Sequence, residues 1–146
     1  MTFSTRKSTL ALAAMLVAPA VQAQSELNMP QDSPMMVAGI DAACTGIAES
    51  AEDPRWAAYP TRIEFAGGYN QWLIGARVTV ASEASDALFT VRCGAPWLLL
   101  KLEPGRYRVT AELLYNQAAP QSATISPPAT GQQRFVFRFP EVTGDN

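Results

Sequence analysis

The chain contains no histidine. That absence removes the commonest general base, the commonest metal ligand and the usual partner of a nucleophilic serine or cysteine. Cysteine is scarce: Cys44 and Cys93 are the whole supply, and they lack the Cys-x-x-Cys spacing of a dithiol redox site. Lysine is nearly missing as well, with Lys7 and Lys101 alone, and nothing in the sequence gives a physical reason for it. No apolar run approaches the ~20 residues that a membrane-crossing helix requires. No phosphate-cradling loop is present, because Gly67-Gly68 lacks both the spacing and the following Lys-Ser/Thr. With 11 basic and 13 acidic residues, the net charge of −2 shows none of the basic excess that nucleic-acid binding calls for. No nucleic-acid partner, no metal and no cofactor is therefore expected.

What is present at the start of the chain has the layout of a secretory signal. Arg6 and Lys7 supply a positive region, Leu10 to Val17 a short apolar run, and Pro19 a break. Val21-Gln22-Ala23 then offers small residues at a cleavage site, so residues 1–23 are expected to be removed after Ala23. No cysteine follows directly, so neither lipid anchoring nor membrane insertion is expected after cleavage, and the product would be periplasmic or secreted. Its 123 residues would carry 9 basic and 13 acidic groups, since the leader takes Arg6 and Lys7 and no carboxylate. A chain of this length suits one domain. In an exported protein the two cysteines read first as a structural disulfide, Cys44–Cys93. It would close a loop of roughly 50 residues and contribute about 4 kcal/mol in the chain-entropy account.

Residues 24–60 show no sustained period and carry Pro30 and Pro34, so they read as a flexible lead-in. Met29, Met35 and Met36 cluster there without a histidine or a repeat, which makes an apolar tail of them and not a copper site. Within this stretch Ala48 to Ala58 suits a short helical turn, capped by Asp53 with Pro54 at its first position. Beyond it the pattern changes to period two. Alternating segments lie at Arg62–Phe65, Ala76–Val80, Phe89–Cys93, Leu98–Leu102, Tyr107–Leu113, Ser122–Ile125 and Arg134–Phe139. Gly67-Gly68, Gly94, Pro96, Glu103-Pro104-Gly105 and Pro127-Pro128 punctuate them. Seven short strands at close spacing predict an all-β, antiparallel sandwich over residues 61–140, with a disordered tail at 141–146.

Gly75-Ala76-x-Val78-x-Val80, then Gly94-x-Pro96-Trp97, then Leu102-x-Pro104-Gly105-x-Tyr107-x-Val109-x-Ala111 resembles the carboxypeptidase regulatory-like domain. The resemblance covers about Thr61 to Pro140 and implies a transthyretin-like sandwich. Glu103 stands where the family usually has the first Pro of a Leu-Pro-Pro-Gly run, and Pro104 still sets the turn. The resemblance implies a module that performs no chemistry and supplies no catalytic residues to carry over. Transthyretin-like hydrolases depend on histidines that this chain lacks.

Glu64, Glu83, Asp86, Glu103 and Glu112 are expected as solvated carboxylates and not a facing catalytic pair. Arg77, Arg92, Arg106, Arg108, Arg134 and Arg138 all point away from the expected core, as a basic stripe for an acidic envelope polymer or as an evenly charged face. Trp97 shares its strand face with Leu99 and Lys101, opposite Leu98, Leu100 and Leu102, so it is expected partly exposed or buried beneath a loop. Tyr69 and Trp72 lie in the Gly-rich connection. Exposed Trp and Tyr either stack on sugars or anchor a protein, and otherwise cover the ends of a sandwich. Two functions follow from this reading. The first is a non-catalytic exported binding module that meets an envelope protein through loops or an edge strand. The second is a carbohydrate-binding module using Tyr69, Trp72 and Trp97.

Overall fold

Side-chain alternation accounts for most of the strands in the computed structural model, which describes residues 2, 11–17, 25–84 and 87–144. The chain is all-β, with ten strands in two five-stranded sheets packed as a sandwich. The strands are β1 (Glu26–Asn28), β2 (Met35–Val37), β3 (Ile40–Thr45), β4 (Thr61–Gly67), β5 (Ala76–Ser82), β6 (Ala87–Cys93), β7 (Trp97–Leu100), β8 (Tyr107–Leu113), β9 (Gln121–Ile125) and β10 (Gln133–Phe139). One sheet runs β1-β6-β5-β8-β9 and the other β10-β4-β7-β3-β2. The seven expected strands are β4 to β10.

The core is where the alternation places it. Val78 and Val80 of β5, Phe89 and Val91 of β6, and Val109 and Ala111 of β8 meet Ile63, Phe65, Leu98, Leu100, Phe137 and Phe139 from the other sheet. Cys44 on β3 and Cys93 on β6 are fully buried and joined, with Cα atoms 5.5 Å apart across 49 positions. The crosslink therefore ties one sheet to the other.

Three expectations are corrected. The sandwich has ten strands and not seven, because residues 26–45 are not a flexible lead-in. They form β1, which pairs with β6 at the edge of one sheet, and the β2–β3 hairpin, which pairs with β7 in the other. The pairing is not wholly antiparallel either: β1 with β6 and β10 with β4 are parallel. The tail at 141–144 is docked and not disordered, with Val142 buried and its carbonyl accepting from the Gly68 N–H at 2.8 Å.

The helical turn is found as two 3-10 turns, Ala48–Glu52 and Pro54–Ala58, with the Asp53 carboxylate accepting from the Arg55 N–H at 2.9 Å. This segment lies on the outer side of β7. Trp56 and Tyr59 close over Ala43 and Leu99 as a second, smaller apolar cluster. β7 is thereby buried on both faces, which is why it reads Trp-Leu-Leu-Leu and not as an alternating strand. Arg6, Lys7, the cleavage site at Ala23 and Asp86 lie outside the described residues. Among the described residues, no helix is long and apolar enough to cross a membrane.

Candidate functional site

Three places on the sandwich stand out by residue type or by topology: the outer face of the β4–β7 pair, one end of the sandwich, and the sheet edges.

On the outer face, β4 presents Arg62 and Glu64 and β7 presents Trp97. Trp97 is 9% exposed, beneath the Arg62 guanidinium, whose carbon lies 3.5 Å from the ring centroid. Gly46 adopts φ +109 where its backbone meets the indole, and a Cβ there would lie 2.6 Å from the ring. Trp97 is therefore covered by a loop and by Arg62, and its ring does not join Tyr69 and Trp72 at the surface. Its Nε1 is buried with no hydrogen-bond partner among the described residues.

Glu64, expected among the solvated carboxylates, is fully buried. The register places Arg62 directly opposite Arg134 of β10, where two cations would repel each other. Glu64 lies between them. Its Oε1 accepts from Arg62 Nε at 2.5 Å and from Arg134 Nε at 2.9 Å, and its Oε2 accepts from Arg134 Nη2 at 2.6 Å. The Glu64 hydrogen bonds in turn hold the Arg134 guanidinium above the ordinary arginine pKa. The sequence carried a signal for this pair: Arg62 and Glu64 are two apart, hence on one face of one strand.

At the end of the sandwich where β4, β8 and β10 terminate, Tyr69 and Trp72 are exposed, at 76% and 46%. Their loop is fixed by hydrogen bonds. Gln71 accepts at Oε1 from the Tyr69 N–H, and its Nε2 donates to the carbonyls of Val142 and Gly144. Asn70 sits at φ +61, a conformation that asparagine tolerates better than most residues, and its Oδ1 accepts from Arg138 Nη1. Sequence reasoning missed Tyr115. It follows β8, is 70% exposed, and lays its ring against Gly75. The Leu114 N–H donates to the Gly75 carbonyl at 2.8 Å, which joins this loop to the one carrying Trp72.

The outward arginines do not form one stripe. Arg77, Arg92, Arg106 and Arg108 belong with one sheet, and Arg134 and Arg138 with the other. Arg77 is paired with Glu26 and Glu112, Arg92 with Glu26 and Arg106 with Glu83.

The four edge strands are unequal. β1 and β2 have three residues each. β9 has five, with Pro120 before it and Pro127-Pro128 shortly after. β10 has seven, with no proline, lysine, glycine or bulge within it and Pro140 directly after it. Short length, proline, charged side chains and bulges are the usual means of blocking an edge, and of these β10 has only the charges of Arg134 and Arg138. The Gln133 N–H donates to the Pro60 carbonyl at 2.8 Å, so the odd-numbered residues of β10 bond to β4. The N–H and C=O groups of Arg134, Val136 and Arg138 therefore point away from the sheet. Among the described residues no backbone group pairs with them.

No group of three or more Cys, Asp or Glu among the described residues is placed to hold a metal ion. The chain matches no protein-family model and no curated protein.

Proposed function

We propose that the chain is an exported, non-catalytic binding module of the cell envelope that engages a protein partner by strand addition along β10. The observation that carries this reading is the unpaired outer ladder of β10, which β9 of the other sheet approaches without bonding to it. β10 has seven residues, no proline or bulge, and three residues whose backbone groups face outward without a backbone partner among the described residues. An added strand would satisfy those groups and extend the sheet, the mode in which main-chain hydrogen bonds supply affinity. The leader-like residues 1–23 and the buried Cys44–Cys93 crosslink support an oxidising, exported setting. The resemblance to carboxypeptidase regulatory-like domains, which act beside other domains, supports an accessory role.

A photocrosslinking residue at position 136 in the producing cell tests it. The expected result is one crosslinked partner, lost when Arg138→Pro is added to the same chain. That proline removes an outward N–H and leaves the β4 ladder intact. Absence of any adduct, or an adduct indifferent to the proline, would remove the reading.

A second reading has its own observation. Tyr69, Trp72 and Tyr115 are exposed aromatics at one end of the sandwich, held by the Gln71 network and by Gly75, and such rings stack on sugars. Tyr115 takes the place that sequence reasoning gave to Trp97. Because Trp56 and Trp97 are buried, a fluorescence change on adding envelope glycans would come mainly from Trp72. It is expected to vanish in Trp72→Phe, and a flat titration across the panel counts against this reading.

A further inference from the structure

On β4 and β10 themselves the outward side carries an excess of positive charge. Arg62, Arg134 and Arg138 face outward on β4 and β10 against the single carboxylate of Glu64, an excess of two. Arg134 is partly compensated by Glu64, whereas Arg138 bonds to the neutral amide of Asn70. The chain as a whole carries −2, so this strip runs against its overall sign. Along the edge the outward pattern is Arg134-x-Val136-x-Arg138, and Phe135 and Phe137 face the core side between them.

We infer that the β10 edge selects an acidic strand. The fitting segment has carboxylates two positions either side of an apolar residue, with apolar residues between. This inference rests on strand addition at β10. An antiparallel strand centred on Val136 sets its own carboxylates opposite Arg134 and Arg138, and its intervening apolar side chains against Phe135 and Phe137. Opposite charges directly across a ladder attract and like charges repel. The same two arginines disfavour a second copy of this chain: pairing two β10 strands about Val136 would set Arg134 of each copy opposite Arg138 of the other. An edge that lacks proline and lysine is thus kept from self-pairing by charge, while remaining open to a strand of the opposite sign.

The test uses the full chain and two labelled seven-residue peptides. One is Thr-Glu-Val-Val-Val-Glu-Thr, and the other replaces both Glu by Lys. The acidic peptide is expected to bind at least about tenfold more tightly by fluorescence anisotropy at low salt, and the ratio is expected to shrink in about 1 M salt. Arg138→Glu should reverse or abolish the preference while the protein keeps its melting temperature, since Arg138 is exposed. Equal binding of both peptides would overturn charge selection and leave strand addition standing. If neither peptide binds while position 136 still crosslinks its cellular partner, the acidic pattern is wrong and strand addition stands. If neither binds and no crosslink forms, both readings fall together.

Discussion

The guanidinium of Arg62 lies over the indole of Trp97, 3.5 Å from its centroid, and the same guanidinium is held by the buried carboxylate of Glu64. One side chain thus covers an apolar ring and neutralises an acid. Arg134 reaches Glu64 from the neighbouring strand, so Arg62 and Arg134 share a single carboxylate.

Glu64→Gln keeps the shape and removes the charge. Removing one partner of a fully buried ion pair costs about 3–5 kcal/mol. Arg134 is 54% exposed and can turn to water, so a loss of about 1–3 kcal/mol is expected here. Urea unfolding measures it. A midpoint unchanged from the parent would mean that the three charges contribute nothing net.

The Cys44–Cys93 bond is fully buried, so reductant should reach it only after the sandwich opens. Incubation of the native protein with dithiothreitol is expected to leave the bond intact. Reduction in urea followed by refolding, or the double substitution to Ala, should lower stability by about 4 kcal/mol. That corresponds to roughly 10–20 °C in melting temperature for a domain of this size. A melting curve that reduction does not move would show the crosslink to be idle.

Tyr59 donates to Asp41 Oδ1 at 2.8 Å, and burial followed by that hydrogen bond pushes its phenol up to about 12 from 10.0. A raised acid means that the folded state holds its proton more tightly than the unfolded state does. The contribution is complete below about pH 10 and is lost as pH rises through about 12, by about 3 kcal/mol at most. Thermal melts from about pH 9 to about pH 12 should therefore decline. Tyr59→Phe should start lower, by about 1 kcal/mol for the lost hydrogen bond, and decline less steeply. Parallel slopes for the two proteins would contradict the assignment.

Gly75 combines φ +82 with the ring of Tyr115 where a Cβ would stand. Gly75→Ala is expected to cost about 1–3 kcal/mol. Adding Tyr115→Ala should recover the steric part and leave the backbone part, a coupling that a double-mutant cycle isolates. Strict additivity of the two changes would show that the ring does not rest on this glycine.

How much is legible from the residues varies by strand. β4 to β6 and β8 to β10 announce themselves because large apolar residues alternate with charged or polar ones, as in Tyr107 to Leu113. β3 does not, because Ala42, Ala43, Cys44 and Thr45 are small and buried on both faces, so no contrast survives to mark a period. β1 and β2 have three residues each, too few to show one. Leu99 reads as solvent-facing because Trp56 and Tyr59 reach it only through a fold-back of the chain. Tyr115 carries no pattern at all, and only its contact with Gly75 gives it a place. The exposed positions of Tyr69 and Trp72 agree with the Gly-rich loop that suggested them, whereas the choice of β10 among four edges depends on pairing that a sequence does not display.

The parallel pairing of β10 with β4 has a consequence for how the molecule is completed. Synthesis delivers Thr61 long before its ladder partner Gln133, which follows 72 positions later. Throughout that interval β4 has a vacant flank, and Glu64 meets one guanidinium where it will later meet two. Such distant closures are slow. A chain halted short of its final strand would therefore leave β4 unguarded, and proteases or stray strands would find it there first.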